Sequence, residues 1–96
     1  MRPSEALAQC RDRILELAHA RGATHVRVFG SAARGADREA SDLDLLVDLP
    51  PGTSLLKIVD LQQCLSDALG VTVDLCTERE LHPALRSTIL AEAIPL

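Results

Sequence analysis

From Asp42 to Leu49 the chain alternates: Leu43, Leu45, Val47 and Leu49 occupy every second place, with Asp42, Asp44, Leu46 and Asp48 between them. Period two is the signature of a β-strand, whose successive side chains go to opposite faces. The first set is expected in a core and Asp42 and Asp44 on the other face. Any fold open to this chain must therefore keep one sheet face available to charged groups. Two further runs bear on that face. His25 to Phe29 reads as a strand with Val26 and Val28 on one side, and it ends at Gly30-Ser31, with ten residues between that pair and Asp42. Val71 to Cys76 reads as a third strand, with Val71, Val73 and Leu75 inward and Asp74 outward.

The remaining segments supply the cover. Ser4 can cap a helix from Glu5, in which Leu7, Cys10, Ile14 and Leu17 recur on one face and which Arg21-Gly22 ends. Gly30 to Gly35 is a tight turn into one helical turn, and residues 36–41 form a polar loop. After Pro50-Pro51-Gly52, Ser54 can cap a second helix carrying Leu55, Ile58, Val59, Leu61, Leu65, Ala68 and Leu69 near one face, stopped by Gly70. A polar turn opens at Thr77 or Glu78, and Pro83 to Ala93 reads as a closing helix packed through Leu85, Ile89 and Leu90. The fold class expected is α+β or α/β: a small mixed sheet covered by helices on one face, in one domain over residues 1–96.

Composition narrows the function classes. One Phe and no Trp or Tyr leave nothing on which bases could stack. A net charge of −4 also argues against direct nucleic-acid binding. Cys10, Cys64 and Cys76 have neither zinc nor disulfide spacing and are expected as small buried hydrophobes in a reducing cytoplasm. No apolar run nears the ~18 residues of a membrane span. His19, His25 and His82 show no ligand spacing, Asp48 is expected as a solvated or strand-end residue, and Arg38 as solvated.

The charged face has a specific chemistry. Two carboxylates ~4–6 Å apart repel by about 1–4 kcal/mol when partly exposed, and a hard divalent cation removes that repulsion. Two magnesium ions ~3.5–4 Å apart can brace the entering and leaving oxygens of an in-line displacement. The Gly-Ser turn complements them. Gly30 lets backbone approach a phosphate, the N–H groups from Ser31 onward favour an anion, and Arg34 could fork onto phosphate oxygens. Gly-Ser alone is an ordinary turn and D-x-D alone an ordinary strand edge; it is their order and spacing at strand ends that point to metal-assisted phosphoryl or nucleotidyl chemistry.

At these residues the chain resembles the nucleotidyltransferase superfamily that includes DNA polymerase beta. More closely it resembles the minimal nucleotidyltransferases that act as antitoxins in MntA/HepT-type operons. Val28-Phe29-Gly30-Ser31-Ala32-Ala33-Arg34-Gly35 followed by Ser41-Asp42-Leu43-Asp44-Leu45-Leu46-Val47 matches the family signature, and Val73-Asp74-Leu75 fits the strand of its third carboxylate. Leu85-Arg86 with Ile89 to Ala93 resembles the closing helix. The resemblance implies a polymerase beta palm-like fold, ATP as substrate, two Mg²⁺ ions, and AMP transfer with release of pyrophosphate. It implies that Gly30, Ser31 and Arg34 bind the nucleotide. Asp42, Asp44 and Asp74 would bind the metals, and Asp74 would help deprotonate the acceptor. In the antitoxin group the acceptor is a tyrosine hydroxyl of a HEPN-domain toxin, a HepT-like helical ribonuclease held in a hetero-oligomer. A chain with no room for a second-substrate domain suits an acceptor delivered by a partner. Two other readings stay open: an antitoxin that neutralises by binding alone, and a transferase acting on a small molecule or a nucleic-acid end.

Overall fold

The computed structural model describes residues 1–96. Its elements are α1 (Pro3–Ala20), β1 (Thr24–Phe29), α2 (Gly30–Arg34), β2 (Leu43–Asp48), α3 (Leu55–Leu69), β3 (Val73–Cys76), a 3₁₀ turn (Glu78–Glu80), α4 (Pro83–Glu92) and β4 (Ile94–Pro95). The sheet has the order β3-β2-β1-β4. β2 pairs parallel with β3 and antiparallel with β1, and β4 pairs antiparallel with β1, so the sheet is mixed.

The alternation of β2 sets one face. Leu43, Leu45 and Val47 are fully buried, together with Val26 and Val28 of β1 and Val73 and Leu75 of β3. α1 and α3 lie over them through Ala6, Ile14, Ala18, Leu61, Leu65 and Leu69. Each such large aliphatic side chain contributes about 1.5–3 kcal/mol by leaving water, so Leu45→Ala is expected to destabilise by about 2–5 kcal/mol. No helix is long and apolar enough to cross a membrane.

Several expectations are corrected. α1 starts at Pro3, not Glu5, because Pro at a first helical position lacks only an N–H that would go unbonded. Ser4 is then inside the helix, and its N–H donates to Asp37 Oδ2 at 2.7 Å. The polar loop 36–41 thus sends one buried carboxylate, Asp37, to the start of α1. β2 is shorter than Asp42–Leu49 at both ends, leaving Asp42 just ahead of it, and β3 begins at Val73 rather than Val71. Leu55 and Val59 of α3 are exposed, and so are Leu85 and Leu90 of α4. β4 was not foreseen. The three cysteines are free and half-buried rather than buried.

The second sheet face is not wholly open. Leu46 is fully buried there, opposite Arg27 and Cys76 in the sheet register. Arg27 pairs with Asp48 at 2.9 Å and with Glu78 at 3.4 Å. Asp48 is the half-exposed strand-end residue expected, and is an ion-pair partner as well, with His25 Nδ1 at 2.9 Å. This network leaves the carboxylates at the start of β2 as the exposed remainder of the face.

Candidate active site

The site lies where β1 turns into α2 beside the first residues of β2 and β3. Phe29 of β1 is the register partner of Asp44, and Asp44 is the partner of Asp74. Neighbouring strands run about 5 Å apart, so the glycine turn, Asp44 and Asp74 form one row across the sheet. Asp42 stands two residues before Asp44, ahead of the strand. Asp42 and Asp74 are exposed and Asp44 is half-buried.

Gly30 has φ +72°, a left-handed conformation that side chains disfavour. A Cβ built there would overlap Asp44 Oδ2 and stand 3.2 Å from Asp44 Cγ. Both conformation and space thus demand glycine. The result is a carboxylate packed directly against bare backbone. α2 is a single turn, so a helix dipole contributes little; its usable donors are the N–H groups of the first turn, which have no acceptor within the helix.

Asp44 is the electrostatic centre. Burial, then the charges of Asp74 and Asp42, push its carboxyl up to about 6, with Arg34 opposing the rise. Negative charge is thus concentrated here without a matching cation from the protein. Cys76, next along β3 from Leu75, has its thiol pushed up to about 11 by burial and by Asp74, which disfavours the thiolate at neutral pH.

Arg34 reaches the site but is engaged. Its Nη1 donates to Glu92 Oε2 at 3.0 Å and Oε1 at 3.2 Å. Glu92 Oε1 also accepts from the Gly30 N–H at 3.0 Å. These bonds, the Gly30 N–H first, hold the Glu92 carboxyl below its ordinary range. With its N–H engaged by Glu92, what Gly30 offers an approaching group is the absence of a side chain. Glu92 escaped notice because a lone Glu in Ala91-Glu92-Ala93 carries no spacing signal, and only the closing of α4 onto α2 brings it here.

The donor set at Asp42, Asp44 and Asp74 is carboxylate oxygen, which suits a hard divalent cation. The missing Cβ of Gly30 leaves the Asp44 carboxylate approachable, and its raised pKa records charge that a cation would relieve. The side chains are not gathered into a group of three that could hold an ion. Gathering them requires rotating exposed carboxylates, while the backbone already sets Asp44 beside Asp74. The residues fit such an ion in the kind of donor they carry.

Comparison with known proteins agrees with this arrangement. Residues 7–96 match the nucleotidyltransferase domain family. A chain of Methanocaldococcus jannaschii, provisionally named protein adenylyltransferase MJ0435, is 39% identical over 82 residues, 85% of this chain and 88% of its own. Protein adenylyltransferase MntA of Thermococcus cleftensis is 39% identical over 79 residues, 82% of this chain and 80% of its own. A solved structure provisionally described as a minimal nucleotidyltransferase superposes with a TM-score of 0.85 at 50% identity, covering 97% of this chain and 95% of that one. Two more distant structures share the fold. One, a toxin–antitoxin with AMP-PNP, has a TM-score of 0.77 at 23% identity and covers 88% of this chain and 69% of that one. The other, a tri-AMPylated Shewanella oneidensis HEPN toxin in complex with its MNT antitoxin, has a TM-score of 0.71 at 20% identity and covers 92% and 69%. With its glycine turn packed on a carboxylate row and its mixed four-stranded sheet, the chain belongs to the nucleotidyltransferase domain family and is a nucleotidyltransferase.

Proposed function

We propose that this enzyme transfers AMP from ATP to a hydroxyl of a partner HEPN-type toxin, a tyrosine hydroxyl in the antitoxin group it resembles, and that it acts as the antitoxin of that pair. Its support is the naming of its relatives as protein adenylyltransferases and the fold shared with antitoxins in toxin complexes. The observation that carries it is the register of Asp44 with Asp74 beside the side-chain-free Gly30. A triphosphate can lie on the α2 turn only where no Cβ blocks it.

In this reading the donors of Ser31, with Arg34, bind the phosphates. Asp42, Asp44 and Asp74 would hold Mg²⁺, two ions in all, which supply charge neutralisation on the phosphates and an acidified acceptor hydroxyl. The acceptor oxygen bonds to the α-phosphorus as the bond to the leaving pyrophosphate breaks. Asp74, exposed on the edge strand β3, takes the hydroxyl proton. The domain 1–96 works in the cytoplasm, a reading that its three free cysteines support. Incubation with ATP, Mg²⁺ and the operon partner, followed by intact-mass measurement of the partner, tests the proposal. A gain of one or more AMP units that Asp42→Asn abolishes is expected. An unmodified partner contradicts it.

Neutralisation by binding is the second reading. The exposed Leu85, Leu90 and Ile94 offer apolar contact area near the site. If Asp44→Asn still rescues growth fully in cells expressing the toxin, binding suffices and chemistry is secondary.

A further inference from the structure

We infer that Glu92 is a positioning residue of the nucleotide site, holding the Gly30 turn and the Arg34 guanidinium in the geometry that receives the phosphates. The inference rests on the nucleotide reading above.

Glu92 is the last residue of α4 and reaches across 62 residues of sequence to Gly30. Its two oxygens accept from a backbone N–H of the glycine turn and from Arg34. The Gly30 N–H is the first of the α2 donors that have no helical partner, and Glu92 satisfies it from outside the helix. The turn packed against Asp44 is thus braced by Glu92 through its own N–H.

Arg34 is the more exposed member of the pair. Its side chain is 57% exposed against 22% for Glu92. All of its bonds to Glu92 run through Nη1. A guanidinium has five N–H donors, so Nε and Nη2 remain for a phosphate while Nη1 stays tethered. A long cation held by one edge and open on the other is pre-ordered for a bidentate anion.

A competing account makes Glu92 an internal anion that a triphosphate must expel. The two accounts predict opposite results for the same variants. AMP-PNP with Mg²⁺ is titrated calorimetrically into wild type, Glu92→Ala, Glu92→Gln, Arg34→Ala and the Arg34→Ala/Glu92→Ala double variant. The Gly30 amide is followed by ¹⁵N NMR through the wild-type titration. Positioning predicts that Glu92→Ala weakens binding about tenfold, the scale of a lost charge-assisted hydrogen bond. Glu92→Gln, which keeps one carbonyl oxygen for the Gly30 N–H but loses the charge and turns the other position into a donor, weakens binding less than Glu92→Ala, by about threefold. In the Arg34→Ala background Glu92→Ala then weakens binding further only about twofold, because part of its effect runs through Arg34. The Gly30 amide keeps its low-field, carboxylate-bonded position at saturation.

Tighter binding by both Glu92 variants, with an upfield move of the Gly30 amide on saturation, overturns the inference in favour of expulsion. Wild-type affinity in Glu92→Ala overturns it outright. Should Glu92→Ala not fold, the Glu92→Gln affinity and the Gly30 amide decide between the same two outcomes. Failure of wild type to bind the nucleotide at all defeats the nucleotide reading itself, a result distinct from equal binding by wild type and variant.

Discussion

Gly30 and Asp44 are packed so closely that a methyl group on the glycine would overlap the aspartate's Oδ2. One residue ends a strand in a left-handed turn, and the other sits in the neighbouring strand as the partner of Phe29. The contact joins the glycine turn to the carboxylate row.

Gly30→Ala should therefore fail twice. The left-handed backbone alone costs about 1–2 kcal/mol for a non-glycine residue. The overlap must also push Asp44 or the turn aside. A lowered urea midpoint and loss of AMP-PNP binding are expected; a variant that binds nucleotide normally would show that the close approach is dispensable.

Asp44 gives the pH dependence a definite sign. Its carboxyl titrates at about 6 in the fold against 3.8 ordinarily. Between those values the folded chain holds a proton that the unfolded chain releases, so stability falls as pH rises from about 4 to about 6. The residue is half-exposed, and solvent screening reduces the effect to about 1 kcal/mol. Asp44→Asn should be inactive yet more stable than wild type at pH 8, and no more stable at pH 4. Urea unfolding across that range checks it.

Asp42→Asn and Asp74→Asn should each lower the rate of AMP transfer by about 10²-fold or more while leaving the fold intact, since both side chains are exposed and bear no core contact. Circular dichroism with pyrophosphate-release kinetics separates the two effects. Full activity in Asp74→Asn would remove it from the site.

Asp37 acts in the opposite sense to Asp44. The Ser4 N–H bonded to its carboxylate holds its pKa below the ordinary value. Its stabilisation is present above pH 3.8 and is lost as pH falls through the lower folded value. Asp37→Ala should unfold at lower urea than wild type at pH 7, with the gap closing in strong acid. An unchanged midpoint at pH 7 would show that the α1 cap contributes nothing.

What the chain discloses before folding follows from how local each signal is. Gly30-Ser31, the Asp42-Asp44 pair and the apolar runs around Val28, Leu45 and Val73 are written in neighbouring residues, and strand periodicity alone aims the carboxylates. Residues that act across the chain are silent. Glu92 and Asp37 are single carboxylates whose partners lie 62 and 33 residues away. Leu46 sits on the charged face but is buried, because Arg27 and its ion pairs close over that end of the sheet. β4 is two residues long, too short for alternation to register. The apolar periodicity of α3 and α4 overstates their packing, since Leu55 and Leu85 are exposed in the fold.

The central claim is chemical transfer to a protein partner, and the intact mass of that partner tests it most directly. With wild-type chain, ATP and Mg²⁺ the partner is predicted to gain discrete AMP units, and with Asp44→Asn none. A partner silenced yet unchanged in mass, or equally modified by both chains, would contradict the account.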